Sequence, residues 1–180
     1  MSNEIQEIRN ILQKFQDGYT HRDLTRLDEF ILLFEPSAEV EMIGIGASKR
    51  GGYEWFEGID KIREIIEGDW KYWGEVNIDV DGAKIRSHNN VAWLSTTCTL
   101  AKTDLTESIP FFLDLVKEKL EDESKLPSER MNDIALFSTN RLSDMQRKIG
   151  HTWPQVITMV LVKREKSWQI VELHWSIPAA

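Results

Sequence analysis

Asp69 falls seven residues after Ile62, three after Ile66 and four before Trp73, so one continuous helix would set its carboxylate on an apolar stripe. A carboxylate there is costly unless paired or protonated, and an apolar wall would raise its pKa toward the range of a general base or a ligand-anchoring acceptor. The competing placement has Gly68 breaking the helix, which leaves Asp69 as a cap or an ion-pair partner. Glu54, between Tyr53 and Trp55 in "GGYEWFEG", supplies a second carboxylate. Its bland alternative is a solvated position on a hairpin edge. In "WQIVELHWSIP" the two-residue strand period groups His174 with Ile170, Glu172 and Ser176, and sets Val171, Leu173, Trp175 and Ile177 on the other face. An imidazole among apolar residues can shuttle a proton near neutrality. It can equally be one polar group on an outward face.

Other chemistries find less support. The four histidines, His21, His88, His151 and His174, lie far apart with no H-x-x-x-H or H-x-E pair, so no metal site is expected. Ser176 lacks a G-x-S-x-G elbow, and Cys98 sits in an apolar run that would keep its thiol inert. The glycine-rich "GIGASKRGG" joins two strand-like segments without the lysine and helix of a phosphate loop. No cofactor is expected.

The elements that would carry these residues are readable from periodicity. Ile5, Ile8, Leu12, Phe15 and Tyr19 form one helical face, and Leu24, Leu27, Ile31 and Phe34 a second that stops at Pro36. "SAEVEMIGIG" and "YEWFEG" read as a hairpin, followed by the helix that carries Ile59, Ile62, Ile66, Trp70 and Trp73. Two strand pairs follow, "EVNIDVDGAKIRS" with "NVAWLSTTCTLA", then "WPQVITMVLVKRE" with "WQIVELHWSIP". Between them, residues 103–150 hold one amphipathic helix marked by Ile109, Phe112, Val116 and Leu120. A second, opened by Pro127 and Ser128, carries Met131, Ile134, Phe137, Leu142, Met145 and Ile149. This stretch is too apolar for a disordered linker.

At 180 residues the chain fits a single domain, 1–180, with a helical insertion at 103–150. A net charge of -8 opposes a surface for nucleic acid or anionic lipid. A lone cysteine excludes an intrachain disulfide, the polar start carries no export signal, and no apolar run is long enough to span a membrane. The expectation is a soluble, cytoplasmic protein. Seven tryptophans call for a large shared core or a lined cavity.

Three stretches, "LFEPSAEVEMIGIGASKRGGYEWFEGIDKIREIIEGDW", "NNVAWLSTTCTL" and "SWQIVELHWSIP", together with the order of elements, resemble the SnoaL-like branch of the nuclear transport factor 2-like superfamily. Residues 103–150 depart from it, since most relatives have a much shorter connection there. The resemblance implies an α+β, cystatin-like fold, in which a curved mixed or antiparallel sheet wraps around N-terminal helices as a cone with a mostly apolar cavity. It also implies a homodimer, an inward-facing His174 and Ser176, and Glu54 at the cavity mouth. Fold analogy cannot choose the function. Aligned to the ketosteroid isomerase type, Phe15 takes the tyrosine's place and Met42 the base's, which argues against that isomerisation.

The reading that follows is a domain binding a small, largely apolar organic ligand, with Met42, Trp55, Trp73 and Trp93 lining the pocket and Glu54, Asp69, His174 and Ser176 as its polar contacts. As an enzyme it would run acid–base isomerisation, dehydration or cyclisation, with Asp69 or Glu54 as base and His174 as proton partner. The alternative is a non-catalytic dimerisation or assembly module whose inserted helices close the cone.

Overall fold

The computed structural model describes residues 3–47, 49–52, 54–103, 108–165 and 167–177, and gives only the backbone of 108, 111 and 140–145. Tyr53 and the side chains of Leu142 and Met145, named above, lie outside that description. Two compact units result, one of residues 1–101 with 152–180, the other of residues 102–151.

The first unit is an α+β fold. Helix α1, Asn3–His21, buries Ile8, Leu12, Phe15 and Tyr19, the stripe its sequence spacing predicts. A 3-10 turn at Leu24–Arg26 leads into α2, Leu27–Ile31, which is much shorter than the apolar spacing suggested. Phe34 leaves that helix and bridges to Ile170. Strands β1, Glu41–Ile43, and β2, Trp55–Glu57, form the expected hairpin, and α3, Ile59–Tyr72, runs unbroken through Gly68. The single strand expected from "EVNIDVDGAKIRS" is two, β3 at Glu75–Ile78 and β4 at Lys84–His88. The carboxylate of Asp79 accepts the Gly82 N–H at 2.9 Å in the turn that separates them. Both strands pair with β5, Val91–Ala101, at its two ends.

Strands β6, Thr152–Arg164, and β7, Ser167–Ser176, complete a curved, mixed sheet in the order β2-β1-β7-β6-β5-β3, with β4 also on β5. All pairs are antiparallel except β1 with β7. Pro154 lies where β6 extends beyond its pairing with β7, so its missing N–H leaves no ladder bond unmade there. The inner face, carrying Met42, Leu94, Ile157, Met159, Leu173 and Trp175, joins α1, α2 and α3 in one core.

Two polar devices fix α1 on the sheet. Arg9 donates to the carbonyls of Val80, Asp81 and Ala83 in the turn before β4. Gln16 stands in for a missing strand on β3: its Nε2 donates to Val76 O at 3.0 Å, and its Oε1 accepts from Ile78 N at 2.6 Å. The edge of the sheet is thereby paired rather than left open. At Gly18 any Cβ would lie 2.2 Å from the Phe30 ring, so only glycine lets α1 and α2 come this close.

The second unit is a pair of helices, α4 at Ser108–Glu121 and α5 at Pro127–Gln146, with Phe112 stacked on Phe137 at 5.4 Å. Lys125 links the pair's connection to Asp133 at 2.7 Å. Among the described residues no helix is long and apolar enough to cross a membrane.

Candidate active site

The continuity of α3 decides between the two placements of Asp69. The helix passes through Gly68, so Asp69 stands between buried Ile66 and Trp70 on the inward side. From α1, buried Tyr19 donates its hydroxyl to Asp69 Oδ2 at 2.8 Å. The Tyr19 ring lies 6.3 Å from Trp73 and 6.1 Å from Trp175, and those two rings meet edge to face at 5.2 Å. Asp69 keeps some exposed surface, yet it is set deep among these rings.

Burial raises the Asp69 carboxyl to a pKa of about 7, the Tyr19 hydrogen bond and the Arg22 charge pull it down, and the nearby Glu54 carboxylate pushes it further up. Near neutrality it is therefore divided between its two protonation states, as a general acid or base requires. Tyr19 is held well above its ordinary value by burial and by the Asp69 charge beside it, and so remains a hydrogen-bond donor throughout.

Arg22 sets the spacing of the pair. It takes positive φ just past the end of α1, and its guanidinium donates to Tyr19 O at 3.0 Å, to Trp73 O at 2.7 Å and to Gly74 O. One cation thus ties the C-terminal ends of α1 and α3 together, where the helix dipoles favour positive charge. Burial lowers its pKa from the ordinary arginine value. Glu54 also has positive φ, 55°. Its carboxylate accepts the Gly46 N–H, and its carbonyl accepts the Gly44 N–H at 2.7 Å. Glu54 is held by its own loop on the side that faces Asp69.

Strand parity separates the other expected residues from this cluster. Trp175 points inward, so His174 and Ser176 point to the opposite face, where Ser176 Oγ donates to Val156 O at 3.5 Å. Ile43 and Trp55 share the His174 row, which puts Trp55 on that outer face under the Arg50 guanidinium at 5.9 Å. Trp93 is 42% exposed, with its neighbours Ala92 and Leu94 turned into the core. The inward placement expected for His174 and Ser176 and the pocket-lining placement of Trp55 and Trp93 are thus corrected. Ile170 is corrected too: an extra residue in β7, Val171, shifts the register, so Trp168 and Ile170 face inward before it and Leu173 and Trp175 after it. Met42 is inward and buried in the core, and Trp73 stands beside Asp69 and Tyr19.

Asp69, Glu54 and Trp73 are therefore brought together, and Tyr19, Arg22 and Trp175 join them unannounced. Tyr19 had a signal in the sequence: it is a polar-tipped ring on an otherwise apolar helix face. Among the described residues no group of three or more histidine, cysteine or acidic side chains is placed to hold a metal ion. Cys98 is buried, its thiol donating to Gln155 Oε1 at 3.9 Å, and burial pushes its pKa up to about 12.

No protein-family model matches the sequence, and no curated protein matches it. Solved structures do. A nuclear transport factor 2-like protein of unknown function from Pseudomonas putida KT2440 is 13% identical, with TM-score 0.60, over 100% of this chain and 91% of that one. A nuclear transport factor 2-like superfamily protein from Salmonella enterica is 16% identical, with TM-score 0.59, over 98% and 92%. A candidate dehydratase of the same family from Streptomyces avermitilis is 10% identical, with TM-score 0.56, over 98% and 97%. The fold is the cystatin-like fold of nuclear transport factor 2-like proteins. At these identities the likeness speaks for the fold alone.

Proposed function

We propose that the first unit is a SnoaL-like acid–base site, in which Asp69 moves a proton on a small, largely apolar organic molecule held beside Trp73 and Trp175. The observation that carries this reading is the Tyr19–Asp69 pair: a carboxyl with a pKa near 7, set on an apolar wall and hydrogen-bonded to a tyrosine that stays protonated. Isomerisation, dehydration and cyclisation all begin with such a proton transfer, and the candidate dehydratase from Streptomyces avermitilis shows the same fold. Glu54 raises the basicity of Asp69, and Arg22 fixes its distance from Tyr19. His174 has no part in the step, because it lies across the sheet. A cytoplasmic setting fits the single buried thiol.

The test works before any natural substrate is identified. Enolisable ketones and β-hydroxy carbonyl compounds are incubated with the protein in deuterated water, and exchange of the protons next to the carbonyl is followed by proton magnetic resonance. The wild type should accelerate exchange on at least one, with a rate that rises through pH 7 as Asp69 ionises. Asp69→Asn should lose the acceleration while keeping its fold. Equal exchange by both proteins, or by neither on the whole panel, removes the acid–base reading.

One observation favours a second reading, self-association through the helical unit. Its helices leave Ile109, Leu113, Met131 and Leu136 exposed, at 54%, 58%, 61% and 41%. Deleting residues 105–149 and measuring mass by light scattering tests it, since a homodimer that survives the deletion owes nothing to these helices.

A further inference from the structure

Among the described residues, two buried hydrogen-bond donors on the inner face of the sheet have no acceptor. Trp175 and Gln155 are each 1% exposed, and neither Trp175 Nε1 nor Gln155 Nε2 finds a partner. Buried donors in native proteins are seldom left so, which makes each an occasion for a missing partner. The two are neighbours. Trp175 is opposite Ile157 across β6 and β7, and Gln155 lies two residues along β6 on the same face. Diagonal positions of this kind stand roughly 7 Å apart. Trp175 also packs against Tyr19 and Trp73, so its indole adjoins the Tyr19–Asp69 pair.

Other unpaired indoles do not share this setting. Trp55 is on the outer face, Trp168 stacks under Lys163 at 5.3 Å near the start of β7, and Trp70 packs on Phe30 at 5.0 Å. At Gln155 the orientation is set from behind. The Cys98 thiol donates to its Oε1, which leaves both N–H groups of Nε2 to be used elsewhere.

Resting on the reading of Asp69 as a ligand-site residue, we propose that Gln155 and Trp175 form the subsite for a neutral carbonyl oxygen of the bound molecule. The donor set decides the chemistry. The indole brings one N–H and the amide two, so the subsite offers an excess of donors and fits an accepting oxygen. A carboxylate would be repelled by Asp69 and Glu54 on the adjoining wall. Neither donor has surface open to water. Trp73, which meets Trp175 edge to face at 5.2 Å and is itself only half-buried, is the side from which a ligand would approach the indole.

Three probes of one shape test this: acetophenone, α-methylstyrene, in which a methylene replaces the oxygen, and benzoate. Protein labelled with nitrogen-15 tryptophan reports each indole N–H, and Trp175→Phe assigns the Trp175 signal. Acetophenone should move that signal downfield and saturate, and bind at least about tenfold more tightly than α-methylstyrene, with benzoate weakest. Gln155→Leu and Gln155→Met should bring acetophenone down to the affinity of α-methylstyrene; the wild-type contrast stands even if a variant fails to fold. Equal binding of ketone and alkene, or an unmoved Trp175 signal, overturns the subsite and leaves an apolar ligand site standing. If none of the three binds, the ligand site itself falls, and the subsite with it.

Discussion

Replacing Asp69 with asparagine should make the protein more stable, by an amount that grows with pH. The neutral amide still offers Tyr19 an acceptor oxygen, so the hydrogen bond at 2.8 Å can persist, while the buried charge cannot form. In the folded wild type the carboxyl titrates near 7 rather than at its ordinary 3.8. Between those values the folded protein holds a proton that the unfolded chain has lost, so unfolding releases it and stability falls as pH rises. Below 3.8 both states are protonated and Asp69 costs nothing; above 7 both are ionised and the cost is complete and constant. At about 1.4 kcal/mol per pH unit, the gap between 3.8 and about 7 sets a ceiling of about 4 kcal/mol. Partial exposure of Asp69 reduces this, and a gain of roughly 1–3 kcal/mol at pH 8 is expected for Asp69→Asn. Urea unfolding of both proteins, followed by tryptophan fluorescence at steps from pH 4.5 to 8.5, reads the difference. It should be smallest at the acid end, widen through pH 6 and level off above 7. Parallel stability curves would refute the reasoning, because they would mean that Asp69 ionises as readily folded as unfolded.

Four further outcomes check the packing. Gly68→Ala should stabilise α3 by about 0.5–1 kcal/mol, since a methyl group there meets nothing within 4 Å, whereas Gly18→Ala should cost roughly 1–3 kcal/mol by driving into Phe30; denaturant midpoints measure both. Cys98 should resist iodoacetamide at pH 8 in the folded protein and react at once in urea, because burial pushes its thiol up to about 12. Gln16→Ala should cost roughly 1–3 kcal/mol in urea unfolding and raise amide hydrogen exchange at Ile78, whose N–H loses its acceptor.

The residues explain which expectations could be read from the chain. The stripe of α1 follows from its helical period, whereas the inward position of Asp69 needed α3 to run unbroken through Gly68, which the sequence left open. The same period made Tyr19 look like core, and nothing local announced that its hydroxyl would meet a residue fifty positions away. In strands, alternation gives two faces without saying which is inner. In β5 the small Ala92 faces the core and the large Trp93 faces out, so size alone misleads. The extra residue in β7 is Val171, a good strand former like its neighbours, so the register shift at that point leaves no mark in composition. The break between β3 and β4 was written in "DVDG", where aspartate and glycine make a turn inside an otherwise strand-like run.

Gln16 gives the sheet edge and the acid–base pair a common fate. A peptide or a second chain that tried to extend the sheet at β3 would compete for Val76 O and Ile78 N, the two groups that this side chain holds. To win them it would have to peel α1 away, and α1 also carries Tyr19. Strand addition at that edge would therefore disarm Asp69 by taking away its hydrogen-bond donor, so molecules recruited through β3 would be silent.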